Sequence, residues 1–465
     1  ARLLLEIFDA LKQTLGRDFP LECLVSGTEK GGITIQDTIE LSRLAEGKID
    51  LLTIRQGEQD PQHPIGFTST RTNPCPNLEA AAAVKADVKA RGGKLLIGVS
   101  AGLQDPALCD RIIAQGQADV LSMARAFICD SEYGQKLYAG RGEDVRPCIR
   151  CNKCHVPNDT DKFRSFCSVN PLIGLEDKID RMIAPVEREK KVAVVGGGPA
   201  GMYAAMTLRD RGHQVTLYEK EAQLGGQLIH ADFASFKWPL QDFKDFLIRQ
   251  CYKKGVDIKL NTEATKDMLA QEHYDHVIVA IGPVFTKANI PGAQSDKVLT
   301  CMDVFGHEDE LPHNIVVIGG SETGVETGMH LCELGHKVTV LTRQFELAHD
   351  ASHLHAITMA IVTYDPEDHH EIIKCAWEKY PNFRGIVHAS TTAVTPTSVT
   401  YLDQDGVSHR LEADSVVICG GMKAQRDEAL AFYGSAPRFF MTGDCEKVAN
   451  LQAGNRSAMG KVAQL

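Results

Sequence analysis

The run Val192–Ala205 reads V-A-V-V-G-G-G-P-A-G-M-Y-A-A, and it decides the architecture of the C-terminal part of the chain. Four apolar residues lead into a glycine cluster and a helical stretch follows, so a buried strand turns through glycine into a helix. Gly196, Gly198 and Gly201 occupy the three positions of G-x-G-x-x-G. The first allows a tight turn, the second lets the backbone approach a pyrophosphate, and the third permits close helix–strand contact. The helix N-terminus then faces the phosphates. The next strand, Q-V-T-L-Y-E-K, ends in Glu219, about twenty residues on, where a carboxylate accepts ribose hydroxyls. A purely structural glycine turn gives no reason for Glu219.

A second block, Asn314–Gly328, reads N-I-V-V-I-G-G-S-E-T-G-V-E-T-G. Gly319 and Gly324 hold the first and third positions, and Ser321 replaces the middle glycine. The following strand, K-V-T-V-L-T-R, carries Thr342 where the first block has Glu219, with Arg343 next. Losing the carboxylate removes repulsion toward a 2′-phosphate, and a nearby arginine accommodates it, which favours NADPH over NADH. A surface arginine without a ligand is the alternative. Two further segments tie the first block to a flavin. HVIVAIGPVF, from His276, reads as the strand that returns the chain between two nucleotide domains. RFFMTGDCEKV, from Arg438, places Gly443 and Asp444 after a strand, where an aspartate commonly meets the ribityl chain of FAD.

Upstream, Arg146–Pro171 contains Cys148, Cys151, Cys154 and Cys167 at C-x2-C-x2-C-x12-C spacing. Three thiolates in one loop and a fourth beyond it suit the corners of an iron–sulfur cube. Structural zinc also takes four cysteines, although such sites usually pair two CxxC knuckles. Residues 1–147 alternate strand and helix: LECLV from Leu21, DLLTIR from Asp50, KLLIGV from Lys94 and DVLSM from Asp119, with helices between. Apolar strands of this kind predict a parallel sheet or a (β/α) barrel. A full barrel needs eight strands and about 250 residues, so about half of one is expected. The loop after the second strand carries His63 at the C-terminal mouth, where it would protonate a substrate α-carbon after hydride addition. A loop histidine without a role is an equal alternative.

The 465 residues are 43% hydrophobic and 24% charged, enough for about three domains with real cores. A net charge of −11 argues against nucleic acid or anionic membrane as partner. Of 14 cysteines, those outside the cluster run lack framework spacing, as expected in a reducing cytosol. No apolar run reaches about 18 residues, and no signal-peptide pattern opens the chain, so a cytoplasmic location is expected.

Taken together, the segments ARAFICD, GEDVRPCIRCNKC, CSVNP, GGGPAG, EKEAQLGGQL and TGDC resemble the iron–sulfur flavoenzymes typified by 2,4-dienoyl-CoA reductase, 2-enoate reductase and trimethylamine dehydrogenase. The resemblance covers essentially the whole chain, which looks like the C-terminal two-thirds of such a protein. It implies an old-yellow-enzyme-type barrel with FMN, a 4Fe-4S cluster, and a glutathione-reductase-like pair of FAD and NAD(P)H domains. Gly102, Ala124 and Arg125 would then surround the FMN phosphate, with a barrel-rim ion pair as the other reading of Arg125. Gly226 and Gln227 would join the FAD site. The implied layout is 1–147 for the partial (β/α)8 barrel, 148–185 for the cluster and linker, 186–300 with 415–465 for FAD, and 301–414 for NAD(P)H. Three departures stand out. The family's first four barrel strands, with the catalytic tyrosine, are absent. Leu24 stands where the family carries an arginine near the flavin. The x2 spacing between the second and third cysteines is nearer the amine dehydrogenases.

The expected activity is NAD(P)H-dependent reduction of activated C=C bonds in enoates, dienoyl thioesters or enones. Electrons would pass from NAD(P)H to FAD, through the 4Fe-4S cluster, to FMN. An amine dehydrogenase running in reverse, and an electron-relay subunit without its own substrate site, are the alternatives. Self-association, or a chain supplying the missing half barrel, is the expected partnership. The four-thiolate reading predicts about four iron atoms per chain and no stoichiometric zinc. In Cys151→Ala, elemental analysis should show the iron lost while FAD is retained; zinc in the anaerobically purified parent overturns the reading.

Overall fold

The computed structural model describes all residues except 30–31, 56–58, 61–62, 65–74, 156–165, 180–182, 187, 296–297, 349–379 and 396; the side chains of 59–60, 63–64 and 155 also lie outside the described residues. The chain forms two compact units, Ala1–Asn152 and Lys153–Leu465.

In the first unit the four expected strands form as Glu22–Ser26, Leu51–Arg55, Leu96–Ser100 and Val120–Ser122. They pair in parallel in chain order. Successive βα units produce this order, since each right-handed crossover lays its strand beside the previous one. The crossover helices begin where local chemistry starts them. Thr34 and Asp37 form a capping box before Ile35–Ala45, and Asp105 caps Pro106–Ala114 by accepting from the amides of Ala107 and Leu108. Leu52, Ile54, Ile97 and Val99 point to the helix side and make one core with Ala45, Ala81, Val84, Val88 and Ile112. The other face is polar and tight: buried Thr53 donates to Glu22 at 2.6 Å, and a Cβ on Gly98 would lie 2.4 Å from the Thr53 hydroxyl. Leu24 on that face is exposed. Helix Arg2–Leu15 packs Leu4, Leu5 and Phe8 into the core but leaves Leu3, Ile7, Leu11 and Leu15, four residues apart, in solvent.

The second unit is built from one supersecondary unit used twice. Strand Lys191–Val195, helix Pro199–Asp210 and strand Gln214–Tyr218 recur as Asn314–Ile318, Glu322–Glu333 and Lys337–Leu341, each 123 residues later. The first copy centres a five-stranded parallel sheet, in the order Arg438–Met441, His276–Val279, Lys191–Val195, Gln214–Tyr218, Asp257–Lys259. The second centres another, in the order Val298–Thr300, Ser415–Ile418, Asn314–Ile318, Lys337–Leu341, Phe383–Ile386. A three-stranded antiparallel meander, Ser390–Thr395, Ser398–Leu402 and Ser408–Glu412, packs on the second sheet's core. Strand pairing shifts the expected boundaries. Val298–Thr300 and Ser415–Ile418 belong to the second sheet, not to the first nucleotide block. The division between units falls inside the cysteine run rather than before it. Among the described residues no helix is long and apolar enough to cross a membrane.

A buried ion pair within the second block stands beside the ring contact that joins it to the first. His330 Nε2 lies 2.8 Å from Glu308 Oε1, both largely shielded, and Phe305 lies against His330 on one side and His230 on the other. Burial opposes ionisation of Glu308, yet hydrogen bonds from His330 and from backbone amides, including that of Gly306, carry its pKa below the usual value. His330→Ala should lower stability by about 2–3 kcal/mol, the loss of a buried charge-assisted hydrogen bond, read from the urea midpoint. A carboxylate with a depressed pKa stabilises above its unfolded pKa and loses that effect as pH falls through the folded one. The deficit should therefore shrink below about pH 4.

Candidate active site: two dinucleotide cradles

At the first cradle, strand Lys191–Val195 ends in Gly196, whose φ of +106° suits glycine. A Cβ on Gly196 would lie 2.4 Å from the Ala280 carbonyl oxygen, and one on Gly201 would lie 1.9 Å from the Gly196 carbonyl oxygen. Both glycines are therefore demanded by the protein's own packing. Gly198 differs: a Cβ there meets only Gly226 Cα, at 3.9 Å. The fold leaves the space before Gly198 open, which is what backbone approach by an outside group requires.

Glu219 is buried and its carboxylate is already engaged. Oε2 accepts from the Gly197 amide at 2.7 Å and Oε1 from Glu221 at 2.9 Å. A carboxylate has about four acceptor positions, so two stay available to hydroxyls. The loop EKEAQLGGQL folds back over the turn. The Gly225 amide donates to the Gly197 carbonyl at 3.0 Å, and a Cβ on Gly226 would press on Gly198 Cα at 2.8 Å. Gln227 follows, half-buried, in the short segment Gly226–Asp232. From the far end of the chain, Gly443 comes within reach of Ala200, where its Cβ would lie 3.1 Å from the alanine methyl. Asp444 beside it accepts from the Ala449 amide, and burial raises its pKa above the ordinary carboxylate value. Gly196, Gly198, Gly201, Glu219, Gly226 and Asp444 thus converge on one turn.

The second cradle repeats the geometry. Gly319 has φ +111°; its Cβ would meet the Cys419 carbonyl oxygen at 2.5 Å, and that of Gly324 the Gly319 carbonyl oxygen at 1.8 Å. The Ala348 amide donates to Gly320 at 2.7 Å, as Gly225 does to Gly197. Ser321 precedes helix Glu322–Glu333 as its cap residue, half-buried. Thr342 is buried against Gly320 and accepts from the Gln344 amide at 3.2 Å. Arg343 is exposed.

In the first unit, Ala101 and Gly102 both take left-handed φ, +79° and +72°, just after strand Leu96–Ser100. Arg150 fills the space beside Gly102, donating from Nη2 to its carbonyl at 3.1 Å and from Nε to Gln104 at 3.1 Å. Arg150 is 1% exposed; burial, then the nearby charge of Arg125, pulls its pKa down to about 10. Arg125 opens helix Arg125–Cys129 behind Ala124 and donates to Asn152. Sequence reasoning named Gly102, Ala124 and Arg125 but missed Arg150. An arginine between two CxxC cysteines reads as a solvated loop residue until the fold buries it.

Cys148 and Cys167 are buried, Cys151 and Cys154 half-buried. A hydrogen bond with Cys129 holds the Cys148 thiol below its ordinary pKa against burial, aided by Arg125 and Arg150. That environment favours thiolate and suits a metal ligand. Cys167 is flanked by Phe166, under the Arg456 guanidinium at 4.2 Å, and Ser168, whose carbonyl accepts from Asn455 at 2.8 Å. Cys148 and Cys151 belong to the first unit, Cys154 and Cys167 to the second. Among the described residues no three His, Cys, Asp or Glu side chains gather as a metal site. His63 lies in the two-residue strand His63–Pro64, paired with Gln59–Asp60; its side chain is outside the described residues.

The twin cradles place the chain among nucleotide-dependent redox proteins. Residues 190–437, more than half of it, match the pyridine nucleotide-disulphide oxidoreductase family, and the chain belongs to that family. It is 33% identical over 358 residues to the NADH oxidase of Thermoanaerobacter brockii, covering 75% of this chain and 54% of that protein. It is 29% identical over 423 residues to the bilirubin reductase of Mediterraneibacter gnavus (strain CC55_001C), covering 90% and 62%. Each relative is thus longer than the part matched here. Among solved structures, a 2-naphthoyl-CoA reductase in complex with 2-naphthoyl-CoA is similar over all of this chain and 68% of its own, with TM-score 0.87 and 26% identity.

The glycine geometry makes a discriminating prediction. Gly201→Ala should fold poorly, because its methyl has no room beside the Gly196 carbonyl. Gly198→Ala should keep the parent melting temperature yet lose FAD by at least about tenfold in affinity, measured by flavin release. Parent-like flavin affinity in Gly198→Ala would show that nothing approaches that backbone.

Proposed function

We propose that the chain is an NAD(P)H-dependent flavin oxidoreductase that reduces activated C=C bonds of enoates, dienoyl thioesters or enones. The observation that carries this reading is the repeated glycine turn, one copy with a buried carboxylate and the other with threonine in its place. Residues 186–297 with 419–465 hold FAD, residues 298–418 hold the pyridine nucleotide, residues 148–185 carry the cluster ligands, and residues 1–147 are part of an FMN and substrate barrel. The bound groups supply hydride and single-electron chemistry.

The chain's own residues do the rest. Glu219 locks the first turn through the Gly197 amide and keeps acceptor capacity for ribose hydroxyls. Gly443 and Asp444 close the turn from the helix N-terminal side. Arg125 and Arg150 concentrate positive charge beside Gly102, a setting that suits the FMN phosphate. Cys148 is favoured as thiolate, the form in which it would hold the cluster with Cys151, Cys154 and Cys167. The exposed stripe Leu3, Ile7, Leu11 and Leu15 supports a further segment or chain that completes the barrel. The amine-dehydrogenase reading draws support from the x2 spacing between Cys151 and Cys154.

An anaerobic titration with NADPH and NADH separates the two readings: rapid flavin bleaching by either supports the reductase, and its absence supports the amine dehydrogenase. NADPH should be preferred, because Thr342 presents no carboxylate to a 2′-phosphate. Thr342→Glu should reverse the preference, read as the ratio of kcat/KM for the two nucleotides. Equal values in the parent would leave Arg343 without a part in the choice.

A further inference from the structure

Two cysteines outside the cluster run meet beneath the second cradle. Strand Val298–Thr300 pairs in parallel with Ser415–Ile418, Val298 opposite Val416 and Thr300 opposite Ile418. Cys301 and Cys419 each come directly after the last paired residue, Cys301 opening the short helical turn Cys301–Asp303. Neighbouring strands lie about 4.8 Å apart, inside the ~4.4–6.8 Å Cα separation that a disulfide spans. Both residues belong to one apolar cluster with Val317, Val325 and Met329, at 1% and 9% exposure. Both are free thiols, and they hydrogen-bond to each other, which lowers the pKa of Cys301 and raises that of Cys419. Gly420 and Gly421, next in the chain, are exposed.

Cys419 is also the floor of the nucleotide turn. Its carbonyl is what excludes a side chain at Gly319, its Cβ lies 3.4 Å from where Gly324 would carry one, and its amide donates to Ile318 at 2.8 Å. In the first cradle the same floor is Ala280, whose carbonyl oxygen would lie 2.4 Å from a Cβ on Gly196 and whose methyl 3.4 Å from one on Gly201. Ala280 follows Val279, and Val279 pairs with Met441, so its cross-strand neighbour is Thr442. The place that is inert in the first copy is a dithiol in the second.

We propose that Cys301 and Cys419 form a reversible disulfide that weakens pyridine-nucleotide binding at the second cradle. The Cys301 thiolate attacks a low-molecular-weight disulfide and releases one small thiol. The Cys419 thiol loses its proton and displaces the second, so the pair gives up two electrons and two protons and the oxidant leaves as two thiols. Bond formation draws the Cys419 sulfur toward Cys301. Because the same residue's backbone supports Gly319, the shift passes to the turn and to the start of helix Glu322–Glu333. The inference rests on reading that turn as the nucleotide site.

The test equilibrates the purified full chain with excess glutathione disulfide under anaerobic conditions. Peptide mass spectrometry and nucleotide titration are then run before and after re-reduction by dithiothreitol. A linked Cys301–Cys419 peptide should appear, with affinity for the preferred nucleotide lowered about tenfold, an ordinary strength for coupled sites, and restored by reductant. Cys301→Ser should bind as the reduced parent does and ignore the oxidant. Cys419→Ala, which copies the first cradle, should likewise lose the response. Failure to find the linked peptide in natively folded protein, or a linked form with unchanged affinity, overturns the proposal. Failure of the reduced parent to bind either nucleotide overturns instead the assignment of the cradle.

Discussion

The structure depends on one close approach: a helix seated directly on the carbonyl that ends the preceding strand. At Gly201 and Gly324 a methyl group would lie under 2 Å from the carbonyl oxygen of Gly196 and Gly319. No rotamer relieves that overlap, because Cβ has no torsional freedom of its own. The contact sets the depth of each helix on its sheet. That depth brings Gly443 to Ala200 in the first copy and seats Gly324 over Cys419 in the second. The shape of each cradle follows from backbone packing before any ligand is considered.

On this common frame the two copies diverge by side chain. Glu219 spends part of its hydrogen-bonding capacity on the turn itself, so its carboxylate is both structural and available to a ligand. The Thr342 hydroxyl accepts, among the described residues, from the amide two residues on, and its hydrocarbon meets Gly320. The floor changes as well, from Ala280 to Cys419. Duplicated backbone thus carries two turns of one shape with different walls, a buried carboxylate in one and a threonine in the other.

The first unit uses charge differently. Arg150 is buried with its guanidinium tied to Gly102 and Gln104, and burial first, then the charge of Arg125 close by, lowers its pKa. Two cations held together in a shielded place favour an anion between or beside them. The same two charges help hold Cys148 toward thiolate. The loop at Gly102 and the start of the cysteine run are in this way one electrostatic neighbourhood.

The strands, the helices between them and both glycine turns were legible in the sequence, because apolar runs and G-x-G-x-x-G spacing are local signals. The four strands of the first unit fall within a residue or two of where their apolar runs begin. Glu219 and Thr342 were legible for the same reason, each standing at a fixed distance from its turn. Arg150, the Cys301–Cys419 pair, the Glu308–His330 contact and the strand membership of Val298–Thr300 were not. Each joins residues distant in the chain or rests on burial, and burial belongs to the packed whole. Spacing along a chain determines which turn forms; only tertiary packing decides which side chains lose water, and therefore which charges and thiols meet.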